Sequence, residues 1–481
     1  MFEPRADRAA QHPTPRRPSR HPSDIDLAPE VRTARHQLLG LYLLLGLTVS
    51  SWLARLPSVR ASLDLSTAEL GTILLVGAVG SLSTVLIAGA FVARWGSRTT
   101  LLTAAVIFSA ANVLLGLGPT VGSVGVLVLG VLLMSMSFAL GNVPMNVETV
   151  VIERRMGRTV VPQFHAAFSV GAVLGSLVGA LASWGHMPLL VHFGAVSLLT
   201  LVWRLLAVPG AVLPVVPAPV AAAPLQDGPP PRRGAGLRTA LSAWREPRTL
   251  LVGVIVMSAA LSEGSANNWL AIAVVDGFAE PEAVAAVVFG VFVASMTAAR
   301  LAGTRLIDRF GRAVVLTGSG IVSLAGLALF GLAPNLLLAA VGVVGWGLGA
   351  GLVVPIGMAA VSTDPLRAAG RVAVVSAFAS VASIAAPPLI GVVAEQIGTR
   401  HALLLIAVAL VAGTALSGRI DAADTVGATA TVRSPATVRV PDRAAMRQDA
   451  SEHVLPGEPV RRPVTLEQIV QEHQLSSQGQ R

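Results

Sequence analysis

Glu263 has the clearest capacity for chemistry in this sequence. It stands midway along an apolar run, residues 249–272, beside Gly264, Asn267, Asn268 and Trp269. An acidic side chain at the centre of a membrane helix costs roughly 2.5–3.5 kcal/mol on insertion scales. It therefore needs a cavity or a partner. A carboxyl held away from water is suited to carry a proton and release it when wetted, or to anchor a solute by hydrogen bonds. The alternative is a protonated structural glutamate bonded between helices.

Other polar residues stand in similar runs. Asn142, Asn146 and Glu148 flank Pro144, and the two asparagines are four residues apart on one helical face. They read as a polar cavity lining or as a helix end emerging into water. His165 opens a further run, where it is either a protonation sensor or an interfacial side chain. Arg300 either meets an acidic partner or substrate, or snorkels to the interface. Trp52 and Trp269 either line a cavity and stack on a ring or sugar, or belong to interfacial belts. Arg55, with Pro57, reads as an interface anchor.

The elements that must position these residues follow from composition. Of 481 residues, 53% are hydrophobic and only 13% charged. Mean hydropathy is +0.70. A soluble fold has too little polar shell at that composition. Typical soluble enzymes, nucleic-acid-binding domains and disordered proteins are excluded. Every basic residue is Arg, so a Walker A lysine and a Schiff-base lysine are absent. There is no cysteine, hence no disulfide or thiolate site. No metal or cofactor signature is present, and no enzymatic activity is expected.

Apolar runs of membrane-spanning length recur at 37–56, 70–92, 100–119, 122–147, 164–184 and 188–208. They resume at 249–272, 283–306, 314–333, 336–358, 371–394 and 401–418. A bilayer core of ~30 Å takes about 20 helical residues. These runs are too long and too continuous for barrel strands. The spacing predicts an all-α membrane protein with twelve crossings.

Residues 1–36 read as a disordered cytoplasmic tail, 209–248 as a Pro/Arg-rich cytoplasmic linker, and 419–481 as a second tail. Within that tail Thr465-Leu466-Glu467-Gln468 has the form of a capping box before Ile469. With the N-terminus inside, Arg55, Arg60 and Arg400 fall outside and Arg300 falls within a span. All other arginines fall inside, Arg204 among them. This bias puts both termini in the cytoplasm of a cytoplasmic-membrane protein.

Residues 37–208 and 249–418 form two segments of matching length, read as six-helix bundles in parallel repeat. The run Gly89-Ala90-Phe91-Val92-Ala93-Arg94-Trp95-Gly96-Ser97-Arg98 has a counterpart at Gly303-Thr304-Arg305-Leu306-Ile307-Asp308-Arg309-Phe310-Gly311-Arg312. Aligning Arg-x-Gly sets Ala93 against Asp308, an offset of 215. Trp-Leu-Ala recurs at 52–54 and 269–271. Gly171, Gly175 and Gly179 predict a close-packing helix face. Gly347, Gly349, Gly351 and Pro355, with Pro387-Pro388, read as hinge and packing features.

The loop pattern Gly-x-x-x-Asp-Arg-x-Gly-Arg resembles motif A of the major facilitator superfamily. A narrower likeness is carried by Met145-Asn146, Glu153-Arg154-Arg155, His165-Ala166-Ala167-Phe168-Ser169 and Glu263-Gly264 with Asn268-Trp269. These are similar to the YbjJ-type inner-membrane branch related to fucose permeases. The resemblance implies a cytoplasmic gate at Gly89, Arg94, Gly96 and Arg98, and at Asp308, Arg309, Gly311 and Arg312. It implies that Asp308 pairs with Arg312 or Arg371. Ala93 replaces the acid in the first copy.

These readings converge on a secondary active transporter working by alternating access. Its partners would be a small-molecule substrate, protons and the lipid bilayer, and it would act as a monomer. A non-transporting receptor or scaffold on the same fold, and a multidrug-type exporter, are the alternatives.

Overall fold

The computed structural model describes residues 28–213, 242–362 and 367–418. The two tails beyond these bounds, most of the linker and the 465–470 segment lie outside the described residues.

Every described element is a helix. They are α1 (Pro29–Ala54), α2 (Leu56–Ser62), α3 (Thr67–Thr120), α4 (Val124–Met156), α5 (Val161–Trp184) and α6 (Leu189–Ala211). Then follow α7 (Pro247–Phe278), α8 (Glu282–Phe310), α9 (Arg312–Leu332), α10 (Leu336–Val361), α11 (Ala368–Ile397), α12 (Thr399–Ala402) and α13 (Ile406–Ser417). Among the described residues, 11 helical segments are long and apolar enough to cross a membrane, 399–417 being the last.

One of these, α3, runs for 54 residues. At about 1.5 Å per residue it is far longer than a bilayer is thick. It breaks at Gly96, whose φ of 77° and ψ of 163° are not helical. Among the described residues there are therefore twelve crossings, α3 supplying the second and third. The same conformation recurs at Gly311, φ 80° and ψ 162°, where α8 gives way to α9. Positive φ at these two turns favours glycine. Their neighbours match as well. Arg94 lies over the Trp95 ring at 5.6 Å, and Arg309 over the Phe310 ring at 5.4 Å. The sequence offset is thus a geometric repeat.

In lipid, helices gain little from the hydrophobic effect and associate through van der Waals packing of small residues. The α1–α5 contact shows this. A Cβ at Gly171 or Gly175 would fall inside the shell of the Leu43 or Leu47 carbonyl oxygen. On α10, Gly347 and Gly351 face α8 and Gly349 faces α9. Two seams join residues 29–211 to 247–417. In one, α3 packs on α11, with Gly71 against Pro387 and Thr67 Oγ1 donating to the Gly391 carbonyl at 2.8 Å. In the other, α5 packs on α8, with Gly290 against Ser176.

Helix ends differ from the apolar runs because helices outlast the hydrocarbon. Helix α1 begins at Pro29, inside the expected tail, with Pro at the first turn and Glu30 favourable to the dipole. Helix α6 continues through Pro209 to Ala211. Arg204 falls inside the run 188–208 yet was counted with the cytoplasmic arginines; it is only 6% exposed and is buried on α6 within the helix bundle.

Candidate functional site

Glu263 on α7 and Arg300 on α8 form an ion pair. Arg300 Nη2 donates to both Glu263 oxygens, at 3.0 and 3.2 Å. The side chains retain 24% and 34% exposure respectively, so the pair is accessible. Arg300 Nε donates to the Gly351 carbonyl at 3.2 Å. Glycine at 351 makes this possible, because α10 approaches the α8 backbone there too closely for a Cβ. Three helices thereby fix one guanidinium. Of the two sequence readings of Arg300, the structure supplies an acidic partner.

A second polar group is built on α1, α4 and α5. Its hub is Tyr42, the chain's single tyrosine. Tyr42 OH donates to Asn146 Oδ1 at 3.3 Å and accepts from Thr149 Oγ1 at 3.3 Å. Asn146 Nδ2 donates to the Asn142 carbonyl and to Asn142 Oδ1, at 2.8 and 2.6 Å. His165 is exposed and meets the Tyr42 ring edge-on, centroids 5.8 Å apart. His165 also lies within electrostatic reach of Arg300.

Asn267 and Asn268, one turn from Glu263, are half-buried. The remaining predicted residues lie elsewhere. Trp52 and Trp269 are 1% and 0% exposed, so neither ring faces a cavity in this structure. Trp52 packs on Phe193, centroids 5.8 Å apart. Glu148 is 4% exposed and lies near Ser97 and the Leu213 backbone, with its Oε2 buried and without a hydrogen-bond partner. It faces away from the Tyr42 group because it follows Asn146 by only two residues. Gly89, Arg94, Gly96 and Arg98 are exposed at the α3 break, as are Asp308, Arg309, Gly311 and Arg312 at the α8–α9 turn. The expected Asp308–Arg371 pair is not formed. Arg371 Nε donates instead to Glu246 Oε2 at 2.6 Å. That hydrogen bond holds the Glu246 carboxyl below the ordinary glutamate range.

Sequence reasoning missed Tyr42, although its uniqueness in the chain was a signal. It also missed a cluster at the opposite end of the helices. Arg55, read as an interface anchor, pairs with Glu282 at 2.9 Å, and both are largely buried. Ser58 donates to Glu282 from its backbone N at 2.8 Å and from Oγ at 2.6 Å. Arg60 pairs with Asp276, and the Ala68 backbone N donates to Glu395 at 3.2 Å. These bonds fasten residues 55–68 to 276–395.

The description "Major Facilitator Superfamily" fits a family model matching residues 38–373 and 252–440. The chain belongs to this superfamily. An uncharacterized transporter, y4wD, of Sinorhizobium fredii is 30% identical over 366 residues, covering 76% of this chain and 92% of that protein. Among solved structures, the nucleoside transporter NupG is 18% identical with a TM-score of 0.63, covering 81% of this chain and 99% of its own. The E. coli fucose:proton symporter FucP is 13% identical with a TM-score of 0.55, covering 80% and 98%. Superfamily membership makes the chain a multi-pass membrane transporter.

Proposed function

We propose that this transporter moves a small polar solute by alternating access, coupled to protons, with Glu263 as the proton carrier. The Glu263–Arg300 pair carries this reading. A carboxylate stripped of its guanidinium in an apolar setting takes up a proton in its place. A solute or proton that parts the pair therefore changes the charge exposed in the cavity. Arg300 is then free to hold an anionic or hydroxyl group. Tyr42, Asn142, Asn146 and His165 supply donors and acceptors on the facing side, a set suited to a hydroxyl-rich solute. Asn267 and Asn268 extend the polar wall beside Glu263.

The arginine bias puts the 55–68 end outside the cell and both termini inside. On that orientation, the bonds of Glu282 and Asp276 close the outer gate, and the structure is an inward-facing state. The turns at Gly96 and Gly311 lie at the cytoplasmic gate. The protein acts in the cytoplasmic membrane as a monomer, with no enzymatic step.

The test is flux in proteoliposomes under an imposed pH gradient, with solutes first selected by thermal shift of purified protein. Glu263→Gln should abolish gradient-driven accumulation while leaving thermal unfolding unchanged. Gradient-driven accumulation at the wild-type rate in that variant removes Glu263 from the mechanism.

A further inference from the structure

Arg204 has no part in the transport reading. It lies on α6, 6% exposed, with its guanidinium 4.6 Å from the centroid of the Phe108 ring. Its Nη2 is buried without a hydrogen-bond partner. Among the described residues, no carboxylate offsets it. Arginine does not deprotonate in proteins. The bundle thus encloses a positive charge that a ring face offsets only in part.

Beside the guanidinium is a cavity of about 30 Å³ between α1, α3, α4 and α6. Its walls are apolar, including Leu41, Phe108, Met145 and Val208, with Ser137 as the polar exception besides Arg204. Ser137 Oγ already donates to the Leu133 and Met134 carbonyls, at 2.7 and 3.0 Å. A water here would find two partner atoms, Arg204 Nη2 as donor and Ser137 Oγ as acceptor, at the lower limit of what buried waters keep. It would also bring no charge. The space admits one monatomic ion or a water or two.

We propose that Arg204 holds a small monovalent anion of chloride size inside the bundle of α1, α3, α4 and α6. The site is independent of Glu263 and Arg300. A resident anion neutralises the guanidinium and stabilises the folded chain by mass action.

The experiment uses the full-length protein in detergent. Replacing gluconate by chloride at constant ionic strength should raise the wild-type Tm by a few degrees. Arg204→Gln should lose that dependence. Crystals of the wild type soaked in bromide should show an anomalous peak within hydrogen-bond distance of Arg204 Nη2. The bromide experiment needs no variant, so it stands even where Arg204→Gln does not fold. Absence of a bromide peak at Arg204 overturns the proposal, as does a chloride dependence that survives Arg204→Gln or a Tm indifferent to chloride.

Discussion

Arg300 bonds both oxygens of Glu263 with a single nitrogen and spends its Nε on the Gly351 carbonyl. The guanidinium is therefore held from the α10 side even when Glu263 leaves it. Arg300→Gln should leave Glu263 without its cation and abolish gradient-driven uptake, as Glu263→Gln does. The exchanged pair, Glu263→Arg with Arg300→Glu, should unfold like the wild type but not recover transport, because the carboxyl then sits on the wrong helix. Uptake and thermal unfolding, measured together, separate these outcomes.

Glu282 should act as an outer latch. It accepts two hydrogen bonds, from the Ser58 backbone N and from Ser58 Oγ, and forms an ion pair with Arg55 at 2.9 Å. Bonds to a charged group contribute about 1.5–3 kcal/mol each. Glu282→Gln should shift the population toward an outward-open state by about tenfold or more. Val59 is 0% exposed, and the chain has no native cysteine to confuse labelling. A cysteine placed there should react with an impermeant maleimide faster in the Glu282→Gln background. Equal rates would show that the latch carries no weight.

The α1–α5 seam should tolerate no added carbon. Gly171→Ala places a Cβ against the Leu43 carbonyl, with backbone on both sides. Overpacking of this kind costs about 1–3 kcal/mol. Gly194→Ala, with open space around the new Cβ, is the matched control and should be neutral or slightly stabilising. Thermal unfolding of the two variants decides.

At the other end of the helices, the Glu246–Arg371 tie should depend on pH in one direction. The folded-state carboxyl titrates below its ordinary range because of the Arg371 hydrogen bond. Its contribution is therefore complete above the unfolded-state value and fades as pH falls through the folded-state value. The Tm advantage of wild type over Glu246→Gln should stay level from neutral pH down to about 5 and shrink below it.

The crossings were legible because each needs a long apolar run, and the helix break at Gly96 because the motif around it recurs at Gly311. The stripe Gly171, Gly175 and Gly179 marked a close-packing face, since small residues one turn apart serve few other purposes; that its partner is α1 came from the structure. Side-chain partners were less legible, because sequence spacing does not say which helices become neighbours. Glu263 and Arg300 could each be chosen alone, yet nothing in the order of residues joined them. Asp308 was expected to bond Arg312 or Arg371; among the described residues it bonds neither, and Glu246, just before α7, reaches Arg371 instead. Arg204 was counted with the cytoplasmic arginines because the arginine bias assigns basic residues near a helix end to the inside, although it lies within the run 188–208 and is buried on α6.

The seams α3–α11 and α5–α8 exchange with each other when the two repeats are swapped, since the second crossing corresponds to the eighth and the fifth to the eleventh. Each repeat therefore carries both faces of the same self-complementary junction. A single ancestral copy, before any fusion, would already have held the surfaces needed to pair with its twin, and joining the copies added a tether rather than a new joint.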